Sequence, residues 1–131
     1  FFSIDLFSGA ENWVQEINSD VQPGTIGNFL FTISLDGYFF IINKKDGDIL
    51  RITDIFKQSN LNKKNNVYPT GFVFNFEDIF ITTSNGRLIV TDIRTGKIKE
   101  ILKIDNKKIS RPFVKNQNMY LIRDNSVIRL D

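Results

Sequence analysis

The chain has no cysteine and no histidine. Without cysteine there is no disulfide, no zinc-thiolate centre and no thiol nucleophile. Without histidine the commonest general base and metal ligand are gone, and with them every Ser-His or Cys-His arrangement. There is one tryptophan and one methionine, and only three prolines interrupt 131 residues. No apolar run approaches the roughly 18 residues that a membrane-spanning helix needs. Phe1-Phe2 is followed at once by polar residues, so no signal peptide is read here. A net charge of +2 is too small to argue for nucleic acid or an anionic membrane.

What is present is a segment written twice. Residues 28–47 align without a gap on residues 77–96, an offset of 49 residues, so that Gly37 falls on Gly86, Gly47 on Gly96 and Asn43 on Asp92. Each copy reads as strand, tight turn, strand, turn, strand. Asp36-Gly37 and Asn85-Gly86 join β-branched and aromatic runs, and such pairs are strong hairpin signals because the tight turn needs positive φ. The second turns, Asn43 to Gly47 and Asp92 to Gly96, combine an Asp or Asn that accepts hydrogen bonds from turn N–H groups with a glycine suited to the left-handed region. The pattern extends at both ends. Residues 4–13 repeat the second turn with the strand after it, and residues 119–131 repeat the first hairpin with one residue deleted.

Strand repeats of this length point to a propeller or an array. Asp5-x-x-Ser8-Gly9-x-x-x-Trp13 resembles the tryptophan-docking motif of pyrroloquinoline-quinone-type β-propeller repeats. Asp92 to Glu100 is similar but has Glu100 where that motif has Trp, and Asn43 to Arg51 departs further, with Asn43, Asp46 and Arg51 as the exceptions. Two families share the motif: quinone-dependent dehydrogenases, and the scaffold lipoproteins of the bacterial outer-membrane β-barrel assembly machinery. The resemblance implies an all-β chain, a partial propeller of four-stranded antiparallel blades. Residues 1–21 would end one blade, 22–67 and 68–110 would form two, and 111–131 would begin another. The chain then reads as a single incomplete propeller domain, a segment of something longer. A small β-sandwich with a duplicated motif is the alternative architecture.

Expected strands run from Phe2 to Asp5 and Ala10 to Ile17. The first full blade takes Pro23 to Ile26, Phe29 to Ser34, Tyr38 to Asn43 and Asp48 to Ile52. The second takes Tyr68 to Asn75, Ile79 to Thr83, Arg87 to Asp92 and Lys97 to Leu102. Arg111 to Lys115, Met119 to Arg123 and Val127 to Asp131 follow. The 13 phenylalanines suit packing of blade on blade. Propellers close with roughly 4 to 8 blades, so about three blades leave apolar faces open to self-association.

Carboxylates are the remaining candidates for chemistry, and Asp5, Asp36, Asp46, Asp92, Asp124 and Asp131 all fall in turns. Hard cations take such oxygens, yet no dense Asp-x-Asp-x-Asp spacing supports a calcium site. The quinoprotein resemblance implies a calcium ion, a tryptophan floor, basic residues and, in many members, adjacent cysteines. A single Trp13 without cysteine fits packing between blades better. No catalytic residue, metal or cofactor is therefore assigned.

Basic residues gather in the two longer connections, Thr53 to Val67 and Lys103 to Arg111. Blade geometry puts both at one end of the sheets. Lys57, Lys63, Lys64, Lys107, Lys108 and Arg111 are the candidate contacts for an acidic protein or peptide partner. Phe56 is a candidate anchor, and with Leu61 it either pins the first loop or waits for a partner. The plainer reading is solvated lysines in long loops, enriched by an AT-rich codon bias. The expected function is a non-catalytic, protein-binding scaffold, which the resemblance associates with outer-membrane protein assembly in the periplasm. The alternative is a fragment of a quinone-dependent dehydrogenase.

Overall fold

Each Asp-Gly or Asn-Gly pair makes the hairpin expected of it. In the computed structural model, which describes residues 1–60 and 66–130, the strands are β1 (Phe2–Ile4), β2 (Glu11–Val14), β3 (Gly24–Ile26), β4 (Phe29–Ile33), β5 (Tyr38–Asn43), β6 (Ile49–Asp54), β7 (Pro69–Phe74), β8 (Asp78–Thr83), β9 (Arg87–Asp92), β10 (Ile98–Lys103), β11 (Phe113–Lys115), β12 (Asn118–Arg123) and β13 (Ser126–Leu130). All pair antiparallel with their sequence neighbours, in sheets β1-β2, β3-β4-β5-β6, β7-β8-β9-β10 and β11-β12-β13. This is a partial β-propeller. Strand ends fall within three residues of the expected ones, and β5 and β9 match them at both ends. The largest change is in the first long connection, where β6 runs on to Asp54 and a short helix α1 (Ile55–Gln58) follows, Asp54 capping it through the Lys57 N–H.

Period-two alternation supplies both faces of the first blade. Phe31, Ile33 and Phe39 turn toward the second blade and meet Phe72, Ile79, Ile81 and Ile89 in the larger buried cluster. Phe31 lies against Phe74 at 4.9 Å between ring centroids, and Phe39 meets Phe72 edge-on at 5.4 Å. Leu30, Phe40 and Ile42 turn the other way, against Trp13 and Ile17. Each such aromatic pair is worth about 0.5–1.5 kcal/mol beyond its burial. The blade faces, rather than a central core, hold the molecule together.

The two outermost sheets have open faces. Phe2 and Val14 are paired across β1 and β2 and both are exposed. On the last sheet Phe113 stacks on Tyr120 at 5.5 Å, and the exposed pair Ile122 and Val127 continues the same apolar face.

Candidate functional site

Two ends of the blades differ in how they are built. Tyr38 pairs with Asp54, and Pro69 with Thr83. The Asp36-Gly37 turn, the connection to the next blade, and the Asn85-Gly86 turn therefore share one rim. Here the repeat is closely kept. The Ile55 N–H donates to Gly37 O, as the Ile104 N–H does to Gly86 O. The Phe56 ring covers Gly37, and the carbonyls of Asp105 and Lys107 cover Gly86.

The expected site residues part company on this rim. Phe56 is 5% exposed and belongs to the main apolar cluster. Of the two roles open to it, it takes the pinning one, because its ring is held against Gly37 rather than offered to solvent. Lys57 is exposed in the last turn of α1. Lys63, Lys64 and Leu61 lie outside the described residues. The Lys107 N–H donates to Asp105 Oδ1 at 3.2 Å, and Lys108 Nζ stands 5.5 Å from the centroid of the Tyr68 ring. Arg111 is set apart from these lysines. Its guanidinium donates to Gln22 Oε1 and its Cβ lies against Gly71, so it ties together the inner ends of three sheets.

The rim is of mixed sign. Arg123 pairs with Asp105 at 3.5 Å, and Arg87 donates to the carbonyls of Asn85 and Asp105 at 2.9 Å each. An open cavity of about 400 Å³ is bounded by Leu35, Phe56, Val67, Tyr68 and the carboxylates Asp20 and Asp36. Tyr68, Leu35 and Asp20 were not among the expected contacts, since no turn, repeat or motif singles them out.

The opposite rim carries the docking turns. Gly9, Gly47 and Gly96 each donate their N–H to the carbonyl four residues back at 2.8 Å, from Asp5, Asn43 and Asp92. Asp5 Oδ1 accepts from Phe7 and Ser8 N–H, Asp92 Oδ1 from Arg94 and Thr95 N–H, and Asn43 Oδ1 from Lys45 N–H. The Ser8 N–H holds the Asp5 carboxyl below its ordinary value, and the Thr95 N–H does the same for Asp92. A bulge skips one residue (Asn12, Leu50 or Lys99) just before each docking position, and so re-aims Trp13, Arg51 and Glu100.

Trp13 docks as the motif implies. Its Nε1–H donates to Lys44 O at 3.0 Å and its ring covers Gly47, while Gln15 donates to Gly47 O at 2.7 Å. Arg51 occupies the same place one blade on. Its Nη2 donates to Ile93 O at 2.6 Å and its Nη1 to Arg94 O at 2.5 Å. Partial burial lowers the Arg51 pKa, and Asp92 opposes that shift. Gln58, from α1, donates to Gly96 O at 3.0 Å and so does for this turn what Gln15 does for the first. Arg51, a departure from the motif in sequence, takes over the indole's hydrogen bonding in structure, while Thr53 rather than the guanidinium lies over Gly96.

Among the described residues no group of three or more His, Cys, Asp or Glu side chains is placed to hold a metal ion. Among the same residues no helix is long and apolar enough to cross a membrane.

No family model matches the chain, and no curated protein matches it in sequence. Solved structures do match in fold. BamB from Moraxella catarrhalis superposes at a TM-score of 0.72 with 18% identity, over 96% of this chain and 36% of that one. The quinohemoprotein alcohol dehydrogenase ADHIIG from Pseudomonas putida HK5 superposes at 0.60 with 14% identity, over 82% and 17%. The β-propeller domain of Cps50 (Swd1) from Myceliophteria thermophila superposes at 0.57 with 14% identity, over 72% and 31%. The chain thus spans about a third or less of the propellers it resembles.

Proposed function

We propose that the chain is a non-catalytic propeller segment that binds protein, a scaffold of the kind the sequence resemblance places in outer-membrane protein assembly. On this reading it works in the periplasm, attached to the outer membrane within a longer parent. The observation that carries the reading is the rim cavity. Tyr68 under Lys108, Leu35 and Val67 offer apolar surface over the buried Phe56, with Asp20 and Asp36 beside it. Lys57, Lys107 and Lys108 supply cations on the same rim for an acidic stretch of an extended partner; Lys63 and Lys64 join them in sequence, and Arg111 braces the blades behind. The fold likeness to BamB is consistent with this. The open faces at Phe2 and Val14, and at Ile122 and Val127, also favour self-association.

The likeness to a quinohemoprotein alcohol dehydrogenase keeps one rival in view. A single pair of titrations separates the two. The first adds a fluorescent acidic peptide at low and at physiological salt to the native chain and to a Lys107→Glu, Lys108→Glu double variant. The second adds pyrroloquinoline quinone with calcium and follows visible absorbance. Salt-sensitive peptide binding that the double variant loses, with no absorbance change, supports the scaffold. An absorbance change that saturates with quinone, without peptide binding, overturns it.

A further inference from the structure

On the rim of the docking turns the two four-stranded blades leave an open cleft of about 390 Å³ between them. Ile26, Phe29, Phe31 and Ile41 line it from the first blade, and Phe76, Ile93 and Arg94 from the second. Nothing in the repeat calls for an apolar lining here. At the offset of 49 residues Phe76 falls on Gly27, Ile93 on Lys44, Phe29 on Asp78 and Ile26 on Asn75. The equivalent positions are small, charged or polar, so the apolar lining belongs to this cleft and not to the propeller repeat. Its mouth is wet: Phe76 is 87% exposed and Phe29 48%. Aromatic side chains held in water beside an apolar cleft mark a binding surface.

We infer that this cleft binds a single-chain carboxylic acid, its alkyl chain between the blades and its carboxylate on Arg94. Arg94 is the one polar side chain among the described lining residues. An amide or hydroxyl carried into the cleft would give up its water without gaining a side-chain partner. A peptide brings an amide with every residue, whereas an alkyl chain brings none. At the mouth, the exposed Arg94 presents a planar fork of donors that matches a carboxylate. Glu77 and Asp92 stand in the adjoining cleft, but neither forms an ion pair with that guanidinium. Asp92 Oδ1 is already taken by the Arg94 and Thr95 N–H groups, and Lys99, the other cation there, is paired with Asp78. The cleft is on the rim opposite the cavity formed by Tyr68 and Phe56, so it stands or falls independently of the peptide reading above.

The test titrates sodium octanoate, below its micelle concentration, into the native chain with isoleucine methyls labelled for NMR. The expected result is a saturating shift of the Ile26, Ile41 and Ile93 methyls. Decanoate should bind about tenfold more tightly, because each added methylene buries further apolar area. Octanol has the same chain length without the charge and should bind about threefold more weakly than octanoate, the size of an exposed ion pair. In an Arg94→Gln chain that preference for the acid should vanish while the alkyl chain still binds. A Phe76→Ser chain, which loses only an exposed wall, should weaken acid and alcohol alike. Absence of a saturating shift at the three methyls overturns the inference. So does binding that fails to tighten from octanoate to decanoate, equal binding of octanoate and octanol to the native chain, or an acid preference that survives Arg94→Gln. Equal shifts at Ile122, on the open face of the last sheet, would overturn it too, since the acid would then be coating apolar surface at large.

Discussion

Replacing Arg51 by alanine tests whether a guanidinium stands in for the docking indole. The side chain spends two N–H groups on the carbonyls of Ile93 and Arg94, at 2.6 and 2.5 Å. Hydrogen bonds from a charged donor contribute roughly 1.5–3 kcal/mol each. Arg51 is only partly buried, so water recovers much of this when the side chain goes. The net loss for Arg51→Ala is then about 2 kcal/mol, or about 6 °C in Tm for a chain of this size. Arg51→Lys keeps one donor but not the planar fork, and should lose about half as much. Arg51→Trp rebuilds the Trp13 arrangement with one donor and a larger flat face, and should stay within about 1 kcal/mol of the native chain. Urea unfolding at fixed protein concentration measures all three. If Arg51→Ala costs less than about 0.5 kcal/mol, a size typical of plain surface changes, the docking role assigned to Arg51 is wrong.

Glycine substitutions should separate the covered turn from the bare one. Gly9→Ala bears only the left-handed backbone cost, about 1 kcal/mol, because nothing crowds its Cβ. Gly47→Ala adds a collision with the Trp13 ring and should cost about 3 kcal/mol or more, so equal melting shifts for the two would count against a rigid docked indole. The depressed carboxyls of Asp5 and Asp92 make stability pH-dependent in one direction: it is present above the unfolded carboxylate value of about 4 and is lost as pH falls through the lowered folded values. Melts over an acid series should show that loss, and a chain carrying Asp5→Asn and Asp92→Asn should show a flatter profile, since Asn43 already makes the same turn uncharged. Light scattering over a concentration series should find self-association that Ile122→Lys with Val127→Lys reduces; a mass unchanged by both concentration and substitution would argue that the last blade face is not sticky.

Much of the fold was legible because turn chemistry and strand alternation are local. Asp36-Gly37 and Asn85-Gly86 announce their hairpins, and β5 and β9 begin and end where the repeat predicts. The helix α1 was not legible. Four residues are too few for a 3.6-residue period to show, and only the cap by Asp54 marks it. That helix decides the role of two residues. It buries Phe56 on Gly37, and it carries Gln58 to Gly96, seven residues after the docking position Arg51 rather than two, as Gln15 follows Trp13. The cavity by Tyr68 was equally hidden. Its walls come from four places along the chain, and each wall residue looks ordinary in isolation.

The series Trp13, Arg51, Glu100 shows what the docking position selects for. The three described docking turns share the glycine N–H bond to the carbonyl four residues back, and a bulge comes before the docking position in each of the sheets that carry Trp13, Arg51 and Glu100. Backbone geometry therefore delivers a side chain to the same spot whatever that side chain is. An indole and a guanidinium share two properties, a flat face and an N–H in its plane, and both satisfy the carbonyls that the turn presents. A carboxylate is also flat but has no N–H to give a carbonyl. Glu100 lies instead at an open cleft with Phe80, Leu88, Val90, Leu102, Met119 and Leu130, beside the Lys99–Asp78 ion pair at 2.7 Å. Asp131, which takes the place of Asp92 in the repeat, lies outside the described residues. Contacts between blades in this chain are thus set by a backbone device and a donor, with residue identity free to vary between the two donors. A search for tryptophan alone finds one docked blade pair where the hydrogen bonds show two.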